Sequence, residues 1–183
     1  MNVLLPPTVN YFTGHIESEN LLTKSTTLAS LDGIFADQKA FDAIPGDKII
    51  YQVEMLPAQS ADGELNFGVS HIEPGTVGNE FHMTRGHIHE RQEQAEYYFG
   101  VQGEGLLLMQ KNDGETVIEK VFPGSVHHIP GFVAHRLVNT GTTKLSALAV
   151  WPAIAGHNYQ AIQKAGFNIR VLKDKDGYSL ESS

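Results

Sequence analysis

A chain of 183 residues, 41% hydrophobic and 19% charged, has the composition of one ordinary globular domain, long enough to bury a core. Its formal net charge of −8 argues against nucleic acid or an anionic membrane as partner; an anionic small molecule would need local donors or a cation to overcome that field. The absence of cysteine excludes disulfides, thiol nucleophiles and thiolate-held metals, and with no basic leader in MNVLLPPTVNYF and no run of 18 apolar residues the expected location is the cytoplasm.

Residues 1–30 show no clear period and read as an extended arm. The segment 36–43 (ADQKAFDA) predicts a short helix stopped by Pro45-Gly46. From Lys48 onward the pattern becomes strand-like, at 48–56, 65–73, 81–90, 95–101, 105–110, 116–122, 126–129, 134–139 and 145–151. Turn residues punctuate these runs: Ala61-Asp62-Gly63, Pro74-Gly75, Asn112-Asp113-Gly114, Pro123-Gly124 and Gly141. The Asn112-Asp113-Gly114 step between two such runs predicts a hairpin. A helix over 158–165 with Gly166 as its C′ residue and a last strand over 167–172 close the chain. A short strand and a turn about every ten residues is the rhythm of an all-β barrel or sandwich. The expected organisation is a single domain: arm and helix over 1–47, barrel core over 48–157, C-terminal helix and strand over 158–183.

Chemistry concentrates in four residues. His87 and His89 are two apart, and residues i and i+2 of a strand share a face. Glu96 and His135 each begin a later strand-like run. Three imidazoles and one carboxylate make a mixed N/O donor set suited to Fe(II), Mn, Co, Ni or Zn, and a six-coordinate ion would keep two positions open. A lone His-x-His is as often structural as ligating; the wider pattern decides here. The first stretch reads His87-x-His89, six residues, Glu96, six residues, Gly103. The second reads Pro123-Gly124, five residues, Pro130, four residues, His135, three residues, Asn139. These resemble the two cupin motifs, and the resemblance implies a double-stranded β-helix in which His87, His89, Glu96 and His135 converge on one divalent ion. The commonest cupin register would select Glu93 instead. Glu96 is preferred because it keeps the gap to Gly103 and begins an apolar run, whereas Glu93 lies in the polar ERQEQ.

The variant Thr84-x-Gly86-His87-x-His89 followed by Glu96 resembles the cupin-type glucose-6-phosphate isomerases of archaea and some bacteria. The likeness includes Asn66-Phe67-Gly68, Pro74-Gly75, Gly103-x-Gly105 and Ala155-Gly156-His157-x-Tyr159, and spans about Tyr51 to Phe167. It implies an aldose–ketose isomerase of glycolysis and gluconeogenesis that acts on a sugar phosphate, with one divalent ion per chain, Fe(II) ahead of Mn, Ni, Co or Zn, and a homodimer. It places Thr84, Gly86 and Tyr159 near the substrate phosphate, with Ser70 where the family has Thr and Trp151 where it has Tyr. Hydroxyls at Ser70 and Thr84 and the Gly86 N–H suit phosphate oxygens. Arg85 should point away from Thr84's side. Tyr98 shares Glu96's face and should line the pocket, as can Tyr51; His157 is a further substrate-binding candidate. Glu96 is the candidate base for moving a proton between C1 and C2. His15, His71, His82, His127 and His128 are expected to be surface or structural. The alternatives are a cupin Fe(II) dioxygenase with the same donors and a non-enzymatic metal- or sugar-binding cupin.

Overall fold

The computed structural model describes residues 2–183. In chain order the elements are β1 (Thr8–Val9), β2 (Ile16–Glu17), β3 (Leu22–Thr27), a 3₁₀ turn (Leu28–Leu31), α1 (Gln38–Asp42), β4 (Ile49–Leu56), β5 (Leu65–Ile72), β6 (Thr76–Val77) and β7 (Glu80–Phe81). There follow β8 (Glu96–Gln102), β9 (Gly105–Lys111), β10 (Thr116–Val121), β11 (Val126–Ile129), β12 (Val133–Asn139), β13 (Leu145–Pro152), α2 (Tyr159–Ala165), β14 (Ile169–Asp174) and β15 (Gly177–Ser182).

A six-stranded antiparallel sheet in the order β11-β8-β13-β5-β4-β3 forms one wall. A three-stranded sheet β10-β9-β12 contributes the other side of the core, and β15-β14-β7-β6 and β1-β2 add smaller layers. One apolar cluster joins the walls: Leu107 and Leu137 of the smaller sheet pack in the same core as Ile50, Ile72 and Ala147 of the larger. This is the all-β cupin architecture that the strand rhythm and motifs predict, although the ladders do not close into a continuous barrel among the described residues. No helix of the described residues is long and apolar enough to cross a membrane.

Local chemistry accounts for the punctuation. Gly114 has φ +89° and donates its N–H to Lys111 O, so Asn112-Asp113-Gly114 turns β9 into β10 with Leu108 opposite Ile118. The Asp37 carboxylate accepts the Ala40 N–H and caps α1. Asn158 caps α2 in the same way, through the Ala161 N–H, and Gly166 ends it.

Two expectations change. The run 81–90 is not a continuous strand: after β7 only single bridges remain, Met83 to Val138, His87 to His135 and Ile88 to Asn158, because Gly86 at φ +77° turns the chain between the first and the other two. A side chain is not tolerated at Gly86, since a Cβ there would lie 2.6 Å from Phe167 Cε2 and 3.1 Å from Arg136 Cβ. Residues 1–30 are also more than an arm. β3 pairs with β4 along its length, Leu22 opposite Met55 and Thr26 opposite Tyr51, and forms the edge of the large sheet. The final strand starts at Ile169 rather than 167, and β15 returns along it as a hairpin.

The buried histidines bear on stability. His82 is fully buried and donates Nδ1–H to Glu73 O at 3.0 Å. Burial, reinforced by the charge of Lys48, lowers its pKa to about 4. The unfolded chain therefore binds the proton first: the stability is fully present above about pH 6.5 and is lost as pH falls toward 4, by about 3 kcal/mol. His82→Asn, which keeps a donor for Glu73 O but cannot titrate, should flatten the stability–pH slope in that window, as measured by urea midpoints from pH 4 to 7.5. Equal slopes in the two proteins would remove His82 as the cause.

Candidate metal centre and its cavity

The long gap between His89 and Glu96 has a structural purpose. Residues 90–95 form a turn tied down by Arg91 N–H to Ala155 O at 3.0 Å, Gln94 N–H to Arg91 O at 3.0 Å and Phe132 N–H to Gln92 O at 2.5 Å. The turn brings Gln94 O back to accept His89 Nδ1–H at 2.8 Å. His135 Nδ1 similarly faces Val133 O at 3.3 Å. A carbonyl only accepts, so each Nδ1 carries the proton and each Nε2 presents a lone pair. Glu96 opens β8 with its side chain inward, while Glu93 is exposed on the turn, against Gln94.

The four ligand atoms of His87, His89, Glu96 and His135 lie within 4.8 Å of one another. Glu96 Oε1 is 2.5 Å from His135 Nε2 and 3.2 Å from His89 Nε2. Yet all four atoms, His87 Nε2 included, are sealed from solvent without a hydrogen-bond partner. Groups this close that make no hydrogen bonds are aimed at a common centre rather than at each other. Four orphaned buried donors would each carry a desolvation penalty of about 1–3 kcal/mol unless something satisfied them. The donor set fits a divalent ion.

Electrostatics keep His87 and Glu96 in the ligating form, whereas at His89 burial is outweighed by the adjoining Glu96 carboxylate, which raises its pKa. Burial pushes His87 well below the usual imidazole range, so it is neutral near pH 7. Burial pushes the Glu96 carboxyl up, but the surrounding imidazoles, His135 foremost, outweigh it and hold the group ionised, below the usual carboxylate range. Burial raises the Tyr98 phenol far above its ordinary value and raises Tyr159 as well, so both remain O–H donors. Burial lowers His157, leaving it neutral.

A cavity of about 380 Å³, the size of a small-ligand site, opens over His87, Glu96 and His135. Strand alternation builds its walls. Tyr51, Val53 and Met55 come from β4, Ser70 from β5, Tyr98 from β8, and Ala149 and Trp151 from β13. Thr84, Gly86, His157 and Tyr159 complete it, so every substrate-contact candidate from the sequence lines one cavity. His157 and Tyr159 stack with an interplanar angle of 8°, and His157 lies 4.4 Å from the His87 ring centroid. Thr84 Oγ1 accepts the Leu137 N–H at 3.1 Å, which anchors the hydroxyl and leaves its proton to donate. Trp151 lies over Gly68, where a Cβ would be 3.2 Å from its ring. Arg85 is turned away, as expected: its guanidinium donates to Ser30 O and lies 5.7 Å from the Tyr159 ring centroid. The lining residues missed from sequence are Val53, Met55 and Ala149 within expected strands, and Leu22, Thr23 and Lys24 of β3. The one available signal for β3 was the β-branched content of LTKSTT.

Residues 25–181 match the profile of the glucose-6-phosphate isomerase (GPI) family. This chain belongs to that family. A glucose-6-phosphate isomerase of Thermococcus kodakarensis is 38% identical over 151 residues, 82% of this chain and 79% of that one. Its counterpart in Thermococcus litoralis is 36% identical over 168 residues, 91% and 87% of the two chains. One from Sinorhizobium medicae is 36% identical over 151 residues, covering 80% of this chain and 71% of its own. Among solved structures, oxalate decarboxylase of Bacillus subtilis is a distant likeness: 17% identical, TM-score 0.48, over 59% of this chain and 27% of that one.

Proposed function

We propose that this glucose-6-phosphate isomerase family member interconverts glucose 6-phosphate and fructose 6-phosphate, and that His87, His89, Glu96 and His135 hold the one divalent ion it needs. The observation that carries the reading is the set of four sealed, unpartnered donors beneath a cavity of sugar-phosphate size. Fe(II) is the first choice of ion; the protein acts as a cytoplasmic homodimer. When bound, the ion supplies Lewis-acid stabilisation of charge on the sugar's C1 and C2 oxygens.

The chain's own residues supply the rest. Aldose and ketose differ by one proton moved between C1 and C2, with a second moved between their oxygens. Glu96, held ionised at the cavity base, takes the carbon proton from one side and returns it to the neighbouring carbon. Tyr98, Tyr159 and neutral His157 offer hydrogen bonds to the sugar oxygens. Trp151 keeps only an N–H donor where the family has a phenol. Ser70, Thr84 and the Gly86 N–H receive the phosphate. The direct test is a coupled assay of metal-loaded protein with fructose 6-phosphate; no glucose 6-phosphate formed would overturn the reading.

The phosphate end has its own test. Thr84→Val should raise KM for fructose 6-phosphate by about tenfold or more, because a lost hydrogen bond to a charged group costs about 1.5–3 kcal/mol. Thr84→Ser, which keeps the hydroxyl, should stay near wild type, and metal content should be unchanged in both. Loss of metal from the Val variant with KM intact would reassign Thr84 to the support of the His87 segment.

A further inference from the structure

β3 is the edge of the large sheet, and one face of it looks into the cavity. Lys24 pairs with Val53, and Val53 pairs with Ser70 on its other side. Residues directly opposite across antiparallel strands share a face. Lys24, Val53 and Ser70 therefore form one row, and all three line the cavity. Among the described residues Lys24 is the one Lys or Arg on that lining, and no carboxylate lies within ion-pair distance of it. The other nearby cations are committed elsewhere. Arg85 donates to Ser30 O; Arg136 is buried, donates to Arg85 O at 2.6 Å and lies 4.3 Å from the Phe167 ring centroid.

The proposed substrate carries a phosphate dianion and must enter a chain of net charge −8. Ser70, Thr84 and Gly86 offer neutral donors; none offsets that charge. Lysine's flexible four-carbon stem can carry its ammonium over Val53 toward Ser70, and an exposed stem at the rim costs little desolvation. We propose that Lys24 is the phosphate-recognising cation of this site, pairing with the dianion at the cavity mouth and selecting 6-phosphorylated over free hexoses. This rests on the isomerase reading and adds to it a specificity residue outside both sequence motifs.

Lysine on an edge strand also discourages pairing with other chains. That role alone would alter aggregation and leave substrate affinity untouched, so the two can be told apart. With metal-loaded protein, Lys24→Ala should raise KM for fructose 6-phosphate about tenfold, the effect of one charged contact. Its kcat should stay within about twofold of wild type, because Lys24 makes no contact with the four ligand atoms or the proton-carrying Glu96. Lys24→Arg should restore most of the affinity. Inorganic phosphate should inhibit the Ala variant more weakly by a similar factor, and raising the salt concentration should affect its KM less than that of wild type. A KM in the Ala variant within twofold of wild type would overturn the proposal, as would a matching rise in the Arg variant. If wild-type protein did not isomerise fructose 6-phosphate, the isomerase reading would fail by itself. Calorimetry with inorganic phosphate on wild type and Lys24→Ala would then decide the role of Lys24: equal affinities refute it, and weaker binding in the variant upholds it.

Discussion

Glu96→Gln should turn over fructose 6-phosphate at least about 10²-fold more slowly than wild type, the usual scale for removing a general base. The amide keeps an oxygen where Oε1 faces His135 and His89, so part of the metal affinity should survive. What the amide cannot do is accept a proton. Glu96 is buried, and its ionised form depends on the imidazoles around it. No exposed carboxylate can replace it at the cavity base; Glu93, the nearest by sequence, faces solvent. The measurement is kcat with metal content in parallel, so that lost chemistry is separated from lost ion. Turnover in D₂O adds an independent readout: proton transfer through Glu96 should place deuterium at C1 or C2. Undiminished kcat in the Gln variant, or no deuterium uptake over many wild-type turnovers, would make Glu96 a ligand only and point to hydride transfer between the carbons.

The parts of this site legible in the sequence are those where periodicity and burial agree. In β8 the alternation Glu96, Tyr97, Tyr98, Phe99 sends the first and third side chains into the cavity and leaves the others exposed, as a period of two requires. Glu93 and Glu96 could be told apart because a polar run makes a poor strand and an apolar one a good strand. Two features resisted. The Gly86 turn interrupts a run whose composition is strand-like throughout, and what requires glycine there is the close approach of Phe167 and Arg136, residues far along the chain. β3 resisted because it is an edge strand at the rim of the cavity, mostly exposed. Its inward residues include Lys24 and Thr26, so the hydrophobic alternation that marks a half-buried strand never develops. Alternation reports burial against an apolar core, and a strand lining a site for a charged ligand is the case it misses.

Chelation should abolish isomerase activity and also lower thermal stability, and Fe(II), Mn(II) or Ni(II) should restore both. Without an ion, four buried donor atoms face each other with no hydrogen-bond partner. A ligand that binds only the folded chain stabilises it by RT ln(1 + [L]/Kd), about 2.7 kcal/mol when present at a hundred times its Kd. A melting curve of the chelated protein should therefore shift down by several degrees and recover on titration with metal. His135→Ala should melt at the same temperature with and without added metal, since it removes the donor nearest to Glu96. Because stabilisation and Lewis acidity need charge and open positions rather than a change of oxidation state, activity should persist in the absence of oxygen. A cupin dioxygenase using the same donors would stop there, and a non-enzymatic cupin would regain its melting temperature with metal but no turnover. If the chelated protein kept both its activity and its melting temperature, His87, His89, Glu96 and His135 would not be metal ligands at all.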